Sequence, residues 1–113
     1  MPMLNFQKQF AADVESGKKT QTIRKRRKNP IKPGDILYLY TGARTKACRK
    51  LGEAKCKSVE NISIYTFSYL KNGVGCHASD GFAKKDGFDT WGDLLKFFIE
   101  THGLPFKGDL IKW

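Results

Sequence analysis

The feature that most constrains the fold is an uninterrupted run of strand-forming residues at positions 36–40, directly after the Pro-Gly-Asp turn at 33–35. Pro, Gly and Asp favour tight turns, whereas β-branched, aromatic and other apolar residues favour a packed extended backbone. Because the run is apolar at successive positions, it predicts a central strand that is covered on both faces. The chain therefore has to supply further strands on either side of it.

Several other segments have the composition of short strands. Residues 20–24 alternate in the way that predicts a strand with Ile23 pointing inward. Residues 51–64 predict one or two more strands, and residues 104–113 predict a turn followed by a last strand. Residues 72–75 are rich in Gly and Asn and predict a turn or loop. Short strands therefore dominate the predicted secondary structure.

Two or three short helices are predicted between these strands. Phe6 and Phe10 begin an apolar stripe at helical spacing, and Gly17 is expected to end that helix. Ser79 is suited to cap a short helical turn, and Thr90 is suited to begin the last and longest helix. The apolar residues expected in the core are Phe10, Ile23, Leu37, Leu39, Leu94 and Phe98.

The chain length allows one compact domain. With 113 residues, the chain is too short to build a second hydrophobic core of its own. The mixture of many short strands with a few short helices places the protein in the α+β class. A small β-barrel with helical insertions, spanning residues 1–113, is the architecture that these elements predict.

The charge of the chain points to a polyanionic partner. Lys and Arg number 21 against 11 Asp and Glu, so the formal net charge is +10. Such an excess is typical of nucleic-acid-binding proteins, because phosphate contacts need cationic side chains. RNA is the predicted partner, and a solvated basic loop without a partner is the alternative. The residues expected to contact nucleic acid are Lys18, Lys25, Arg26, Arg27, Lys28, Arg44, Lys46 and Arg49.

Other classes of protein are disfavoured. No apolar stretch approaches the roughly 18 residues of a membrane-spanning helix, and the N-terminus has no pattern of a secretory signal. The three cysteines have no close CxxC pair, which favours a reducing, cytoplasmic environment. Cys76, His77 and His102 are too sparse for a zinc site, and the chain has no phosphate-binding glycine motif. We therefore expect neither a metal nor a cofactor.

Residues 17–24, Gly-Lys-Lys-Thr-Gln-Thr-Ile-Arg, resemble the Gly-x-Lys-x-x-[Glu or Thr]-x-Arg signature of the activating-signal-cointegrator homology (ASCH) family. The preceding helix, the turn at 32–35 and the closing segment 105–113 are similar to the layout of that family. The resemblance thus spans nearly the whole chain. It implies a PUA-like β-barrel fold and an association with RNA.

Residues 19–24 are also similar to the corresponding segment of small bacterial amidohydrolases that deacetylate N(4)-acetylcytidine. By this resemblance Lys19 and Thr22 are catalytic, and an acidic residue far downstream completes the site. Asp86 lies near the matching position before the last long helix, where those enzymes have Glu. Arg24 and Gly17 are the implied substrate-binding residues. Because the family also includes ribonucleases, a ribonuclease and a non-catalytic RNA-binding module stay open as alternatives to a pyrimidine amidohydrolase.

The chemistry of these residues sets conditions that can be stated without the resemblance. A Thr hydroxyl becomes a useful nucleophile only when a base removes its proton, and Lys can do so only with a lowered pKa. Residues three apart point to opposite faces of a strand, so the chain must bend between Gly17 and Thr20 for Lys19 and Thr22 to meet. The alternative is that Lys19 contacts a phosphate, that Thr22 is an ordinary strand residue, and that Arg24 forms a structural ion pair.

Overall fold

A computed structural model describes residues 3–113 of the chain as eight strands and three helices. The strands are β1 (Met3–Phe6), β2 (Gln21–Arg24), β3 (Ile36–Thr41), β4 (Arg49–Lys55), β5 (Ser58–Ile64), β6 (Ser68–Lys71), β7 (Val74–His77) and β8 (Phe106–Lys112). The helices are α1 (Lys8–Ser16), α2 (Asp80–Lys85) and α3 (Trp91–Thr101). The predicted α+β class is confirmed.

The strands form two sheets. The first has the order β1-β3-β4, with β1 and β3 parallel and β3 and β4 antiparallel. The second has the order β2-β8-β5-β6-β7, and all of its neighbouring strands are antiparallel. Within residues 3–113 no strand pairing joins the two sheets into a closed barrel.

Strand β3 is central in its sheet, as predicted, but only one of its faces is buried. Leu37 and Leu39 are buried beneath α1, whereas Ile36 is 46% exposed and Tyr38 and Tyr40 are half-buried. The prediction of two covered faces was wrong because α1 packs against one face of this three-stranded sheet. The Tyr side chains tolerate the half-buried face because their hydroxyl groups can reach water.

The first helix begins later than predicted. Phe6 lies in β1, where it pairs in parallel with Thr41, and its carbonyl oxygen accepts a hydrogen bond from Thr41 Oγ1 at 2.8 Å. Helix α1 starts at Lys8 and ends at Gly17, whose φ of +85° is the left-handed conformation that Gly adopts without a Cβ clash. Phe6 lies in a strand because it pairs with a segment 35 residues away, and the spacing of apolar residues within one segment cannot show such a pairing.

The other helix boundaries agree with the sequence. Ser79 Oγ accepts from the Phe82 main-chain N–H at the start of α2, and Thr90 Oγ1 accepts from the Asp93 N–H at the start of α3. The loop predicted at residues 72–75 is partly wrong. Asn72 and Gly73 form the turn of a β6–β7 hairpin, and β7 begins directly after them at Val74. None of the helices in residues 3–113 has the length and apolarity to cross a bilayer.

The buried apolar residues form two clusters. One lies between α1 and the first sheet and includes Phe6, Phe10 and Leu37. The other lies between α3 and the second sheet and includes Ile23 and Phe98. All of the predicted core residues are buried. Phe88 and Phe97, partly buried, pack against both clusters and mark the place where they meet.

Candidate active site

A cavity of about 290 Å³ lies at the junction of the two clusters. Its walls are largely aromatic, and its polar lining residues come from both ends of the chain. The aromatic lining residues that pack on one another are Phe10, Phe88, Phe97 and Phe98, with ring centroids 5.2 to 5.9 Å apart in successive contacts. Such a cavity suits a small, flat ligand that has one polar edge.

Lys19 and Asp86 form a buried pair in this cavity. The Lys19 Nζ lies 3.3 Å from Asp86 Oδ1, and it also donates to the main-chain carbonyl oxygen of Asp86. The two residues are 67 positions apart, and both are less than 5% exposed. Together with Thr22, which is also buried and lines the cavity, they define what we call the cavity floor.

The local chain geometry explains how Lys19 reaches the floor. The left-handed Gly17 turns the chain after α1, and the Lys19 N–H then donates to the Asp13 carbonyl oxygen at 3.0 Å. Gly87 has a φ of +92°, and a Cβ there would lie 2.9 Å from Phe10 Cδ1 and 3.1 Å from Lys19 Cδ. A side chain at Gly87 would therefore push Asp86 away from Lys19.

Burial shifts the pKa values of Lys19 and Asp86 in the directions that favour the neutral form of each group. Loss of water lowers the pKa of Lys19, and the charge of Asp86 opposes that shift. Loss of water also raises the pKa of Asp86 from 3.8 to about 6, against the opposing charge of Lys19. These directions are the ones that a general base and a general acid need near neutral pH.

Arg24 holds the Thr22 hydroxyl. Its Nε donates to Thr22 Oγ1 at 3.2 Å, its Nη2 donates to the Asn5 carbonyl oxygen at 2.6 Å, and its guanidinium carbon lies 4.9 Å from the centroid of the Phe6 ring. Burial and the charge of Arg27 lower the pKa of Arg24 to about 10, so it stays cationic at neutral pH. Because Oγ1 accepts from Arg24, the hydrogen of Thr22 is free for donation to a base.

Two further residues of the site were missed in the sequence. Gln21 is 2% exposed, and its amide contributes to lowering the pKa of Asp86. Within residues 3–113 its Nε2 makes no hydrogen bond of ordinary geometry, so its interaction with Asp86 is a weak one. His102 was considered in the sequence only as a metal ligand. It follows the last residue of α3 and lines the cavity, and its ring centroid lies 4.8 Å from that of Phe106. No residue spacing identifies either position, because both depend on the packing of β2 and α3.

The exposed lining residues define what we call the cavity mouth, which consists of Asn5, Gln7, Lys25 and His102. Lys25 is the first residue of the basic loop that follows β2. Partial burial and the charge of Lys25 lower the pKa of His102 below its ordinary value. Asn5 Oδ1 accepts from the Ala43 N–H at 2.9 Å, which connects the mouth to the β3–β4 loop that contains Arg44 and Lys46.

The predicted substrate-binding and nucleic-acid-binding residues separate into distinct groups. Gly17 lies outside the cavity lining and ends α1, whereas Arg24 lies inside it. Three predicted cations have intramolecular partners: Arg49 with Glu15 at 2.6 Å, Arg26 with Asp109 at 3.6 Å, and Arg27 with the Met3 carbonyl oxygen at 2.5 Å. The exposed predicted cations without such partners in residues 3–113 are Lys18, Lys25, Lys28, Arg44 and Lys46.

The described residues offer no group of three or more His, Cys, Asp or Glu side chains that could hold a metal ion. Comparisons of the chain with protein-family models, with curated proteins and with solved structures found no match.

Proposed function

We propose that this protein is a hydrolase that deacylates N(4)-acetylcytidine-type pyrimidines, with Thr22 as the nucleophile, Lys19 as its base and Asp86 as the acid. The observation that carries the proposal is that these three side chains line one aromatic-walled cavity together with Arg24, with Lys19 paired to Asp86 and Thr22 hydrogen-bonded to Arg24. The walls suit a pyrimidine ring, and the polar floor suits its amide substituent.

The reaction follows from the chemistry of the floor. Neutral Lys19 takes the proton of Thr22 while Oγ1 attacks the acyl carbonyl carbon. The bond between that carbon and the exocyclic nitrogen then breaks, and the nitrogen takes a proton from Asp86. Water then hydrolyses the Thr22 ester, which restores the hydroxyl and releases the carboxylic acid, and Lys19 passes its extra proton to Asp86, which restores both groups. Arg24, which contacts Oγ1, stabilises the negative charge that develops beside it.

The proposal includes the PUA-like fold that the resemblance implies. Two contacts between the sheets support it, although their strands do not pair. Ile111 of β8 packs in the cluster of the first sheet, and the Phe6 and Trp113 rings are 5.8 Å apart. The chain also passes from the first sheet to the second directly between β4 and β5.

A non-catalytic RNA-binding module is the second candidate. The observation in its favour is that Lys25, an exposed cation without an acidic partner in residues 3–113, lines the cavity mouth. The burial of Lys19 argues against its assignment as a surface phosphate contact, since it is 3% exposed and paired with Asp86. A ribonuclease that uses the same cavity is the remaining enzyme alternative.

Incubation of the purified protein with N(4)-acetylcytidine tests the proposal, with chromatography to detect cytidine and acetate. We expect Thr22→Val, which keeps the shape of the side chain but removes the hydroxyl, to lower kcat by roughly three orders of magnitude or more. Thr22→Ser restores the hydroxyl and retains part of the activity.

A parallel incubation with mixed RNA separates the three candidates. Shortened RNA would support the ribonuclease, and RNA binding without turnover of either substrate would support the binding module. Deacetylation that survives in Thr22→Val contradicts the assignment of the nucleophile.

A further inference from the structure

The charges at the cavity mouth are not balanced. Lys25 is exposed and lines the cavity, and within residues 3–113 no acidic side chain lies within ion-pair distance of it. Among the described lining residues the sole carboxylate is Asp86, which lies at the floor and is engaged by Lys19. The mouth thus has a positive charge that the protein does not neutralise.

The neighbours of Lys25 place this charge at the entrance. Both Lys25 and His102 line the cavity and are exposed, so both belong to its solvent-facing side. Arg24 lies further in and already donates to Thr22 and to the Asn5 carbonyl oxygen. Because no acceptor in residues 3–113 engages the Lys25 ammonium, its hydrogen bonds are available to a ligand.

A lysine ammonium is a compact charge that binds phosphate well, and several uncompensated cations around a low-dielectric cavity attract anions into it. In a pyrimidine nucleoside, the amino substituent of the base and the 5′ carbon of the sugar are at opposite ends. When the acylated amide lies at the floor, the 5′ end of the sugar lies toward the mouth.

We propose that the ligand of this cavity carries a phosphate ester that binds Lys25, so that the substrate is a pyrimidine nucleotide rather than a free nucleoside. The phosphate can belong to a 5′-mononucleotide or to the backbone of an RNA. This inference rests on the proposed function for the orientation of the base, whereas the phosphate contact itself requires no turnover.

The experiment compares kcat/KM at low ionic strength for N(4)-acetylcytidine, its 5′-monophosphate and a short RNA that contains one N(4)-acetylcytidine. We expect at least one phosphate-bearing substrate to exceed the nucleoside by roughly tenfold or more. Preference for the monophosphate alone identifies a free nucleotide as the substrate, and preference for the RNA identifies the backbone phosphate. Equal values for all three substrates overturn the inference.

Lys25→Gln is the informative variant, because it removes the charge and keeps a side chain of similar length. We expect it to bring the ratio of nucleotide to nucleoside kcat/KM close to one. Lys32→Gln is the matched control, since Lys32 is an exposed lysine of the same β2–β3 connection that does not line the cavity. Equal effects of the two variants on the ratio would show that net charge alone causes the preference.

A binding measurement separates this inference from the proposed hydrolase. Calorimetric titration with cytidine 5′-monophosphate and with cytidine requires no reaction. If no substrate is hydrolysed but the monophosphate binds more tightly in a Lys25-dependent way, the hydrolase fails and the phosphate site stands. If the monophosphate and cytidine bind equally, the phosphate site is overturned whatever the outcome of the activity assay.

Discussion

Lys19 and Lys25 come from one short segment of the chain and contribute to the same cavity, yet their surroundings are opposite. Lys19 is 3% exposed, contacts the Phe10 ring with its Nζ 5.1 Å from the centroid, and is paired with Asp86. Lys25 is exposed and has no acidic partner in residues 3–113. The same type of side chain is therefore suited to proton transfer at the floor and to anion binding at the mouth.

The difference between floor and mouth is one of solvation. At the floor, the loss of water disfavours both charged forms, so the pKa values of Lys19 and Asp86 move in the directions that permit proton transfer between them. At the mouth, water screens the charge of Lys25 only in part, so Lys25 can attract an anion from solution. The buried end of the cavity is therefore suited to proton transfer, and the exposed end is suited to binding an anion.

Identical substitutions at the two lysines give the sharpest test of this comparison and the largest expected effect. Lys19→Met leaves Asp86 buried without a cation and should lower the free energy of unfolding by about 3–5 kcal/mol at pH 8. Lys25→Met should change it by less than about 0.5 kcal/mol, because the side chain is exposed. Urea unfolding followed by circular dichroism measures both values.

The loss in Lys19→Met should be smaller at pH 5, where Asp86 takes a proton and no longer needs the cation. Similar losses for the two lysine variants at pH 8 would contradict the buried pair, as would a pH-independent loss in Lys19→Met.

The pH dependence of stability gives the next largest effect. The folded protein holds the proton of Asp86 up to a pKa of about 6, whereas the unfolded chain releases it near 3.8. Since the folded state binds more protons between these two values, this group makes stability fall as the pH rises through that window. Relative to wild type, the free energy of unfolding of Asp86→Asn should therefore rise by about 2 kcal/mol between pH 4 and pH 7.

Parallel urea titrations of wild type and Asp86→Asn at closely spaced pH values measure this gain, because the difference between the two proteins removes the contribution of the other carboxylates. An unchanged difference across the window would mean that Asp86 is already ionised below pH 4.

Salt-dependent RNA binding gives the smallest effect and tests the mouth and its surrounding loops. Each neutralised phosphate contributes about −0.7 to the slope of log K against log salt on a single strand. Simultaneous replacement of Lys18, Lys25 and Lys28 by Gln should flatten this slope by about 2 if all three contact phosphate. These residues are chosen because Arg26 and Arg27 have intramolecular partners.

Lys19→Met is the control for the salt series, at a temperature where it remains folded. We expect it to keep the wild-type slope, because Lys19 is buried and paired. If the slope depended on Lys19 and not on the exposed lysines, the assignment of phosphate binding to the exposed lysines would be contradicted.

Local features of the chain were predictable from the sequence because they depend on neighbouring residues. Gly17 ends α1 with a positive φ, and Ser79 and Thr90 cap α2 and α3 with their own side chains. The aromatic and aliphatic stripes likewise identified buried residues such as Leu94. The bend of the chain between Gly17 and Thr20 was also predictable, because Gly17 adopts the left-handed conformation before β2 begins at Gln21.

The sequence by itself thus determined the caps, the turns, the α+β class and a set of candidate polar residues. The tertiary structure alone decided that Phe6 joins a strand, that the strands divide into two sheets, and that Gln21 and His102 belong to the site. It also brought Asp86 to Lys19 across 67 residues. The physical reason is that strand pairing, burial and the pKa shifts they cause depend on contacts between distant segments, which no local pattern specifies.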